Sequence, residues 1–374
     1  MTSIAIVDPK TTAAIPDKEA SVFVAPEWKL IWWKFRKHKV ALVSGIVIIF
    51  IYMVAALVEF LAPFPSTMTN SKYLYAPPQP LQFDGGLYVS GYSSVIDKAS
   101  LRRIFAVDPE QKIPVGFFVQ GASYKLFGLF PMNLHLFGPL DPTQPMYLLG
   151  GDRLGRDLLS RLIYGTRISM SIGLVGVFFS LLLGVALGGI SGYYGGKVDS
   201  IIQRSIELVR SVPQVPLWMG LTAALTFTLS PEQIYFAITV ILSLLSWPDL
   251  ARAVRGRFLS LRTEDFVLAA RLDGASQGRI IFRHMLPSFF SHIIATLTLT
   301  IPGTILAETA LSFLGLGLRE PVVSWGVLLQ DAQDIRSIAT APWLLIPTLA
   351  VVLAILSLNF FGDGLRDAAD PYAR

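Results

Sequence analysis

Groups able to hold a metal, attack a carbonyl or cradle a phosphate are sparse in this 374-residue chain. It has no cysteine, which removes thiol chemistry and thiolate-held metals, and its four histidines (His38, His135, His284, His292) are scattered rather than spaced as ligands. A phosphate-binding loop needs Gly-x-x-x-x-Gly-Lys-Ser/Thr. The nearest approach puts Ser191 at the first glycine and Val198 at the hydroxyl position, so this is not a nucleotide site. No nucleophile–base pair or carboxylate pair stands out either, and any ATP-driven work would need a nucleotide held by another chain.

Two places remain. Glu308 stands beside Thr304 and Thr309 at the end of an apolar stretch. An acid at membrane depth faces a water-filled path or a partner; the bland alternative is that Glu308 sits at the interface, pairs with Arg319 or caps a re-entrant turn. The second place is Thr263 to Pro287, TEDFVLAARLDGASQGRIIFRHMLP. Thr263 suits a helix cap, with Glu264 and Asp265 favourable in the first turn. Phe266, Ala269, Ala270 and Asp273 follow at helical spacing, and Gly274 suits the left-handed residue that ends a helix. Ser276 then caps a second helix through Ile280, Ile281 and Phe282 towards Leu286-Pro287. The spacing predicts a helix–glycine–helix elbow whose small residues, Ala269 and Ala270, permit close docking. A solvated loop is the alternative, but this much apolar surface facing water would be costly.

The rest of the chain must place these residues. Of its residues 53% are apolar and only 15% charged, with mean hydropathy +0.56, whereas soluble domains carry about 25% charge. Disorder, fibres and disulfide-stapled modules are excluded, leaving an integral membrane protein. About 20 apolar residues cross a bilayer; the charge-free runs predict six spans, at 40–61, 168–190, 208–229, 232–249, 286–307 and 341–362. The formal charge of +5 marks cytoplasmic loops, not a nucleic-acid partner. Lys29, Lys34, Arg36, Lys37 and Lys39 before the first span, with Trp32 and Trp33 as interfacial anchors, put the N-terminal side inside. Residues 1–28 hold no apolar stretch of signal-peptide type, so the first span is expected to stay as an uncleaved anchor.

This gives a cytoplasmic segment 1–39, a first span 40–61, an outer insertion 62–166, a core 167–362 containing a cytoplasmic loop 250–285, and a cytoplasmic tail 363–374. The loop carries Arg252, Arg255, Arg257, Arg262, Arg271, Arg279 and Arg283, as an inner loop should. Arg153, Arg156, Arg161 and Arg167 fall on the expected outer side. There Asp152 and Arg156, and Asp157 and Arg161, are spaced to pair along a helix face. The insertion, rich in Pro, Gly, Tyr and Phe, predicts strands and turns. Gly184, Gly188 and Gly192 recur every fourth residue and form a small-residue face for close helix contact, or else simply loosen the helix.

The stretch 263–287 resembles the EAA loop of ABC-transporter permeases: Glu-Ala-Ala, three residues, Gly, nine residues, Ile-x-Leu-Pro. Leu268-Ala269-Ala270, Gly274 and Leu286-Pro287 keep that spacing, with Leu268 for Glu and His284 for Ile. The segments LGGDRLGRDLLSRLIYGTRISMSIGL (149–174), GYYGGKVD (192–199), ETALSFLGLGL (308–318), GDGLRDAADP (362–371) and WKFRKHKVALVSG (33–45) are similar to the C-type permease of dipeptide and oligopeptide importers. Gly151 stands for a frequent Thr and Glu207 for a frequent Asp.

The resemblance implies an all-α membrane protein, a five-helix type I importer core with an added N-terminal helix. It implies that residues 264–283, with Phe266, Leu268, Ala269, Ala270, Arg271, Gly274, Ala275, Leu286 and Pro287, form the coupling loop that sits in an ATPase cleft. Thr304, Glu308 and Phe313 are assigned to the pathway or gate, the segment 311–318 being too short to span. The implied partners are a homologous second permease, two ABC ATPase subunits that hold ATP and Mg, a solute-binding protein and membrane lipids. No cofactor is expected in this chain, and no catalysis. Relatives of this architecture also carry oligosaccharides, opines or nickel. An ion-coupled secondary transporter is the rival from another class, but the chain shows one doubtful intramembrane acid and no repeated halves. A membrane-embedded hydrolase lacks its catalytic set.

Overall fold

A computed structural model describes residues 27–96, 103–226 and 229–369. Among them, five helices are long and apolar enough to cross a membrane, and a sixth apolar helix is shorter. A mostly exposed amphipathic helix α1 (Glu27–Lys37) leads into α2 (Lys39–Ala56). His38 opens α2 by accepting the Ala41 N–H at Nδ1 (3.1 Å). One face of α2 buries Ala41, Ser44, Ile48 and Ile51, while Ile46, Ile49, Phe50 and Met53 remain exposed as a lipid-type face. A short turn, α3 (Val58–Leu61), carries the chain out of the span.

The insertion that follows is a four-stranded antiparallel sheet in the order β1 (Leu81–Phe83), β2 (Leu87–Ile96), β3 (Arg103–Leu126), β4 (Phe130–Pro139). Its strands agree with the turn-rich composition. The 24-residue β3 pairs with β2 along its first half and β4 along its second, so two ribbons run end to end. Val89, Ile113, Val115 and Met146 form a small core where the ribbons meet. Beneath it the buried Gln79 side chain donates to Ser90 O (2.8 Å) and accepts from Tyr147 N–H (2.6 Å).

The second span, α4 (Leu158–Tyr194), begins ten residues before the apolar run because Asp157 caps it, accepting the Ser160 N–H (2.8 Å). It is followed by α5 (Gly196–Ser211) and α6 (Gln214–Thr226). The expected span 208–229 is thus divided at Val212-Pro213, and α6, at 13 residues, rises only about 20 Å. The next helix, α7 (Pro231–Leu261), is fixed at its start by a reciprocal capping box between Ser230 and Gln233. The apolar pattern predicts its end at residue 249. The helix continues for another three turns through the arginines, so the first part of the expected loop 250–285 is helix. Pro248 does not break it.

The reason is the face that α7 presents to α4. A Cβ on Gly184 would lie 2.8 Å from Leu250, one on Gly188 2.4 Å from Ala251 O, and one on Gly192 2.5 Å from Phe258. The glycines let the two backbones touch where side chains would hold them apart, with Ala251, Val254 and Phe258 buried in the seam. The remaining long helices are α10 (Phe290–Phe313) and α13 (Ile346–Ala369), after the short α8 (Asp265–Leu272) and α9 (Gln277–Arg279) of the elbow; α11 (Trp325–Gln330) and α12 (Ile335–Thr340) lie between them. α10 and α13 pack on each other, α10 on α4, and α13 on α2, where Gly364 faces Ala41.

Gly188→Leu is expected to overpack the seam, at a cost of about 1–3 kcal/mol or more. A thermal melt of the purified protein should show a lowered Tm for Gly188→Leu. It should show little change for Gly303→Ala, where an added Cβ meets nothing within 4 Å.

Candidate functional site

The elbow is built as a capped helix, a left-handed residue and a second cap. The expected cap, Thr263, instead donates its hydroxyl to Ser260 O (3.1 Å) on the preceding helix, and Glu264 holds the cap position without a side-chain bond. At the far end of α8, Ala275 N–H reaches Ala270 O and Gly274 N–H reaches Arg271 O, both at 3.0 Å. This pair of bonds defines a Schellman turn, and Gly274 takes the required positive φ of 74°. A Cβ there would meet nothing within 4 Å, so it is backbone conformation rather than crowding that selects glycine. Ser276 caps the next turn by accepting Arg279 N–H (3.4 Å). The backbone then widens to a π turn over Ile280–Met285 and tightens over Leu286–Phe289 before α10.

Alternation of faces gives the elbow two sides. Val267, Ala270, Ile280 and Met285 are buried in the same core as Phe258 and Phe289, with Ala275 and Leu286 packed against it. Phe266, Leu268, Ala269, Leu272, Phe282 and Pro287 face outward; Leu272 is 88% and Phe282 68% exposed. The two alanines therefore do not share a docking face: Ala270 looks into the bundle and Ala269 away from it. Polar ties hold the elbow to the end of α4. Arg271 lies over the Tyr193 ring (5.4 Å to its centre), and Tyr194 OH donates to Gln277 Oε1 (2.8 Å). Beside them Arg255 of α7 donates twice to Asp199 of α5, at 2.6 Å each. The Arg255 hydrogen bonds pull the Asp199 carboxyl down to about 2. Sequence spacing gave no sign of this pair, 56 residues apart.

At the other end of α10, Glu308 is fully buried. Its Oε1 accepts from Ser312 Oγ (2.8 Å) and from Ser324 Oγ (2.7 Å). Ser312 also takes Leu318 N–H, and Ser324 takes Val327 N–H. Through these hydroxyls one carboxyl fastens the end of α10, the loop after it and α11. Arg319 is not its partner; that side chain is exposed and donates to Gly315 O. Thr304 is buried against α4 at Gly176, while Phe313 is more than one-third exposed, so the three residues assigned to a gate do not line one surface.

A second polar cluster escaped the sequence except for one pair. Asp152 accepts from Arg156 Nε (2.6 Å), as the spacing predicts, although 152–156 is a turn rather than a helix. Arg161 does not pair with Asp157. It reaches Asp152 and, like Arg156, Glu320 Oε1 (3.0 and 2.5 Å), while Arg153 pairs with Asp331 (2.9 Å). Asp152 and Arg161 are buried, so this network clamps the start of α4 to the loop before α11. Burial pushes Asp157 and Asp331 up, each to about 6. For Glu320 burial acts upward too, but Arg156 and Arg161 outweigh it and hold the carboxyl at about 2.

The signs oppose each other. A carboxyl raised above its unfolded value binds its proton more readily in the fold, so Asp331 adds stability as pH falls from about 7 towards 4. Glu320 loses its contribution only as pH falls below its unfolded range. Asp331→Asn should therefore flatten the rise in Tm between pH 7 and pH 5 relative to the unsubstituted protein, measured as parallel melts.

The model of the family described as "Binding-protein-dependent transport system inner membrane component" matches residues 184–374, half of the chain. A second, "N-terminal TM domain of oligopeptide transport permease C", matches residues 27–78. The oligopeptide transport system permease protein OppC of Haemophilus influenzae is 42% identical over 235 residues, 62% of this chain and 73% of that one. The dipeptide transport system permease protein DppC of Bacillus subtilis is 38% identical over 235 residues, 62% and 71% of the two chains. A solved structure of the MetNI methionine ABC transporter in an inward-facing conformation aligns at 20% identity with TM-score 0.46, over 57% of this chain and 98% of that one. With a matching family over half its length and relatives near 40% identity, the chain belongs to the binding-protein-dependent inner membrane transport components, as the permease subunit of an ABC importer.

Proposed function

We propose that this permease carries peptides, and that it forms half of a translocation path whose other half is a homologous second permease. Peptide cargo is supported by the names of its relatives, OppC and DppC. Both chain ends lie in the cytoplasm, the sheet lies outside, and a solute-binding protein delivers cargo on that side. Two ATPase subunits bind ATP and Mg beneath the elbow; this chain performs no catalysis of its own.

The observation that carries this reading is the two-faced elbow. One face is locked into the bundle, while Phe266, Leu268, Leu272 and Phe282 project from the other. Burying each such side chain against a partner contributes about 1.5–3 kcal/mol, enough for the outward face to seat in an ATPase cleft. Because Tyr193, Tyr194 and the Asp199–Arg255 pair join the elbow to α4, α5 and α7, a displacement of the elbow moves those helices with it. ATP-driven closure of the ATPases thereby switches the bundle between inward- and outward-facing states. At the far end, the Glu308 carboxyl holds α10 to α11 and keeps that side closed until the helices separate.

Gly274→Asp forces a side chain into a left-handed backbone position, at about 1–2 kcal/mol, and puts a charge beside the docking face. In proteoliposomes the assembled variant should lose stimulation of ATP hydrolysis by peptide-loaded binding protein; undiminished stimulation would contradict the coupling role. Glu308→Gln should lower peptide uptake while leaving assembly with the ATPases intact. Unchanged uptake would make Glu308 a purely structural tie.

A further inference from the structure

We infer that the β3–β4 hairpin is a membrane anchor, whose tip Phe127–Phe130 dips into the lipid leaflet on the sheet side of the bundle. The two matched stretches, 27–78 and 184–374, do not include it.

The hairpin runs alongside the end of the first span. Its contacts with the end of the first span can be followed from root to tip. At the root, Gly138 lies against Pro63. Further along, Phe118 packs near Phe60, with ring centres 6.4 Å apart, and at the Val119–His135 pair His135 Nδ1 meets Ala62 O (2.7 Å). Nearer the tip, at the Tyr124–Met132 pair, Tyr124 comes within electrostatic reach of Glu59. Between root and tip the partner thus shifts from Pro63 to Glu59, so the hairpin runs towards the membrane rather than away from it. Glu59 marks the edge of the span: Arg167 pairs with it and also donates to Ala55 O and Ala56 O at the end of α2. Beyond Tyr124 two strand residues, Lys125 and Leu126, precede the tip, so Phe127 stands about 10 Å further on, three steps at 3.3 Å per residue. That distance equals about six residues of helix rise, which counted back from Glu59 reaches Met53, itself exposed on the lipid-type face of α2.

The side chains at the tip suit that place. Phe127 is 56%, Leu129 74% and Phe130 60% exposed, next to exposed Lys125. Phe127 and Phe118 both adopt positive φ, 54° and 55°, a region that bulky residues seldom occupy. In both places an aromatic ring is held outward where Gly or Asn would fit without strain. A set of apolar side chains this exposed calls for a covering surface. The surface continuous with it is the one already covering Ile46, Ile49, Phe50 and Met53, which is lipid. Aromatic rings with a neighbouring cation favour the headgroup boundary, with apolar groups about 5–10 Å deep.

The absence of cysteine gives a clean test. Leu129→Cys and, separately, Phe127→Cys would carry an environment-sensitive fluorophore in the assembled transporter, in nanodiscs with and without nitroxide-bearing phosphatidylcholine. Val95→Cys, exposed at the opposite end of the same sheet, is the reference. The anchor predicts blue-shifted emission at 127 and 129, with lipid quenching at least about twofold above that at 95. Quenching by aqueous iodide equal to that at 95, with none by lipid, would place the tip in water. Protection from both quenchers would mean that protein, either the second permease or the binding protein, covers it. Either result overturns the anchor while leaving the permease role untouched.

Discussion

The contact between α4 and α7 is the constraint to which the other parts answer. Three glycines one turn apart remove the side chains from one face of α4, and α7 comes close enough that Ala251 O and Arg255 O occupy the space where Cβ atoms would stand. In lipid there is no hydrophobic force to press helices together, so the contact must come from close van der Waals packing along matched backbones. Since this seam continues past the apolar part of α7, it carries Arg255 to Asp199 and Phe258 to Phe289, and so provides the floor on which the elbow sits. The elbow takes its orientation from the bundle and has little independent support.

The two ends of the bundle are secured by different chemistry. Among the described residues the polar ties at the elbow end are mostly partly exposed: a tyrosine hydroxyl, a cation over a ring, and the ion pairs Arg255–Asp199 and Arg210–Asp249. At the sheet end they are buried and multiple. Glu308 gathers serines from α10 and the start of α11, while Asp152, Arg156, Arg161 and Glu320 form a closed ring of charges. Breaking a buried, hydrogen-bonded charge pair costs far more than breaking an exposed one. The far end is thus the more firmly tied of the two.

Much of this was legible in the sequence. Charge-free runs of about 20 residues located five of the six expected spans, because a lipid solvent tolerates little else; the run 208–229 is instead split between two shorter helices. Gly274 and Ser276 fixed the elbow's turn and second cap, since only a left-handed residue and a hydroxyl acceptor satisfy those backbone groups. The glycine spacing revealed the small face of α4, though not its partner. The rest failed for identifiable reasons. Hydropathy falls at Asp249, where the sequence pattern ends α7, yet the arginines alternate with Ala251, Val254 and Phe258, which keep the helix packed. Ala269 and Ala270 are neighbours in sequence and so point about 100° apart on a helix. Glu308 gave no hint of Ser324, sixteen residues away across a turn, and Asp152 none of its link through Arg161 to Glu320. Partners brought together by tertiary packing leave no local spacing to read.

The central claim is that the outward face of the elbow is covered by an energy-supplying partner while its inward face stays in the bundle. With no native cysteine in the chain, a Leu272→Cys variant reports this directly through its rate of reaction with a membrane-impermeant maleimide. The rate is measured on inside-out vesicles with the ATPase subunits bound and again after they are stripped. The account predicts rapid labelling of the stripped permease and strong protection in the complete transporter. Equal labelling in both, or labelling only from the opposite face of the membrane, would contradict it.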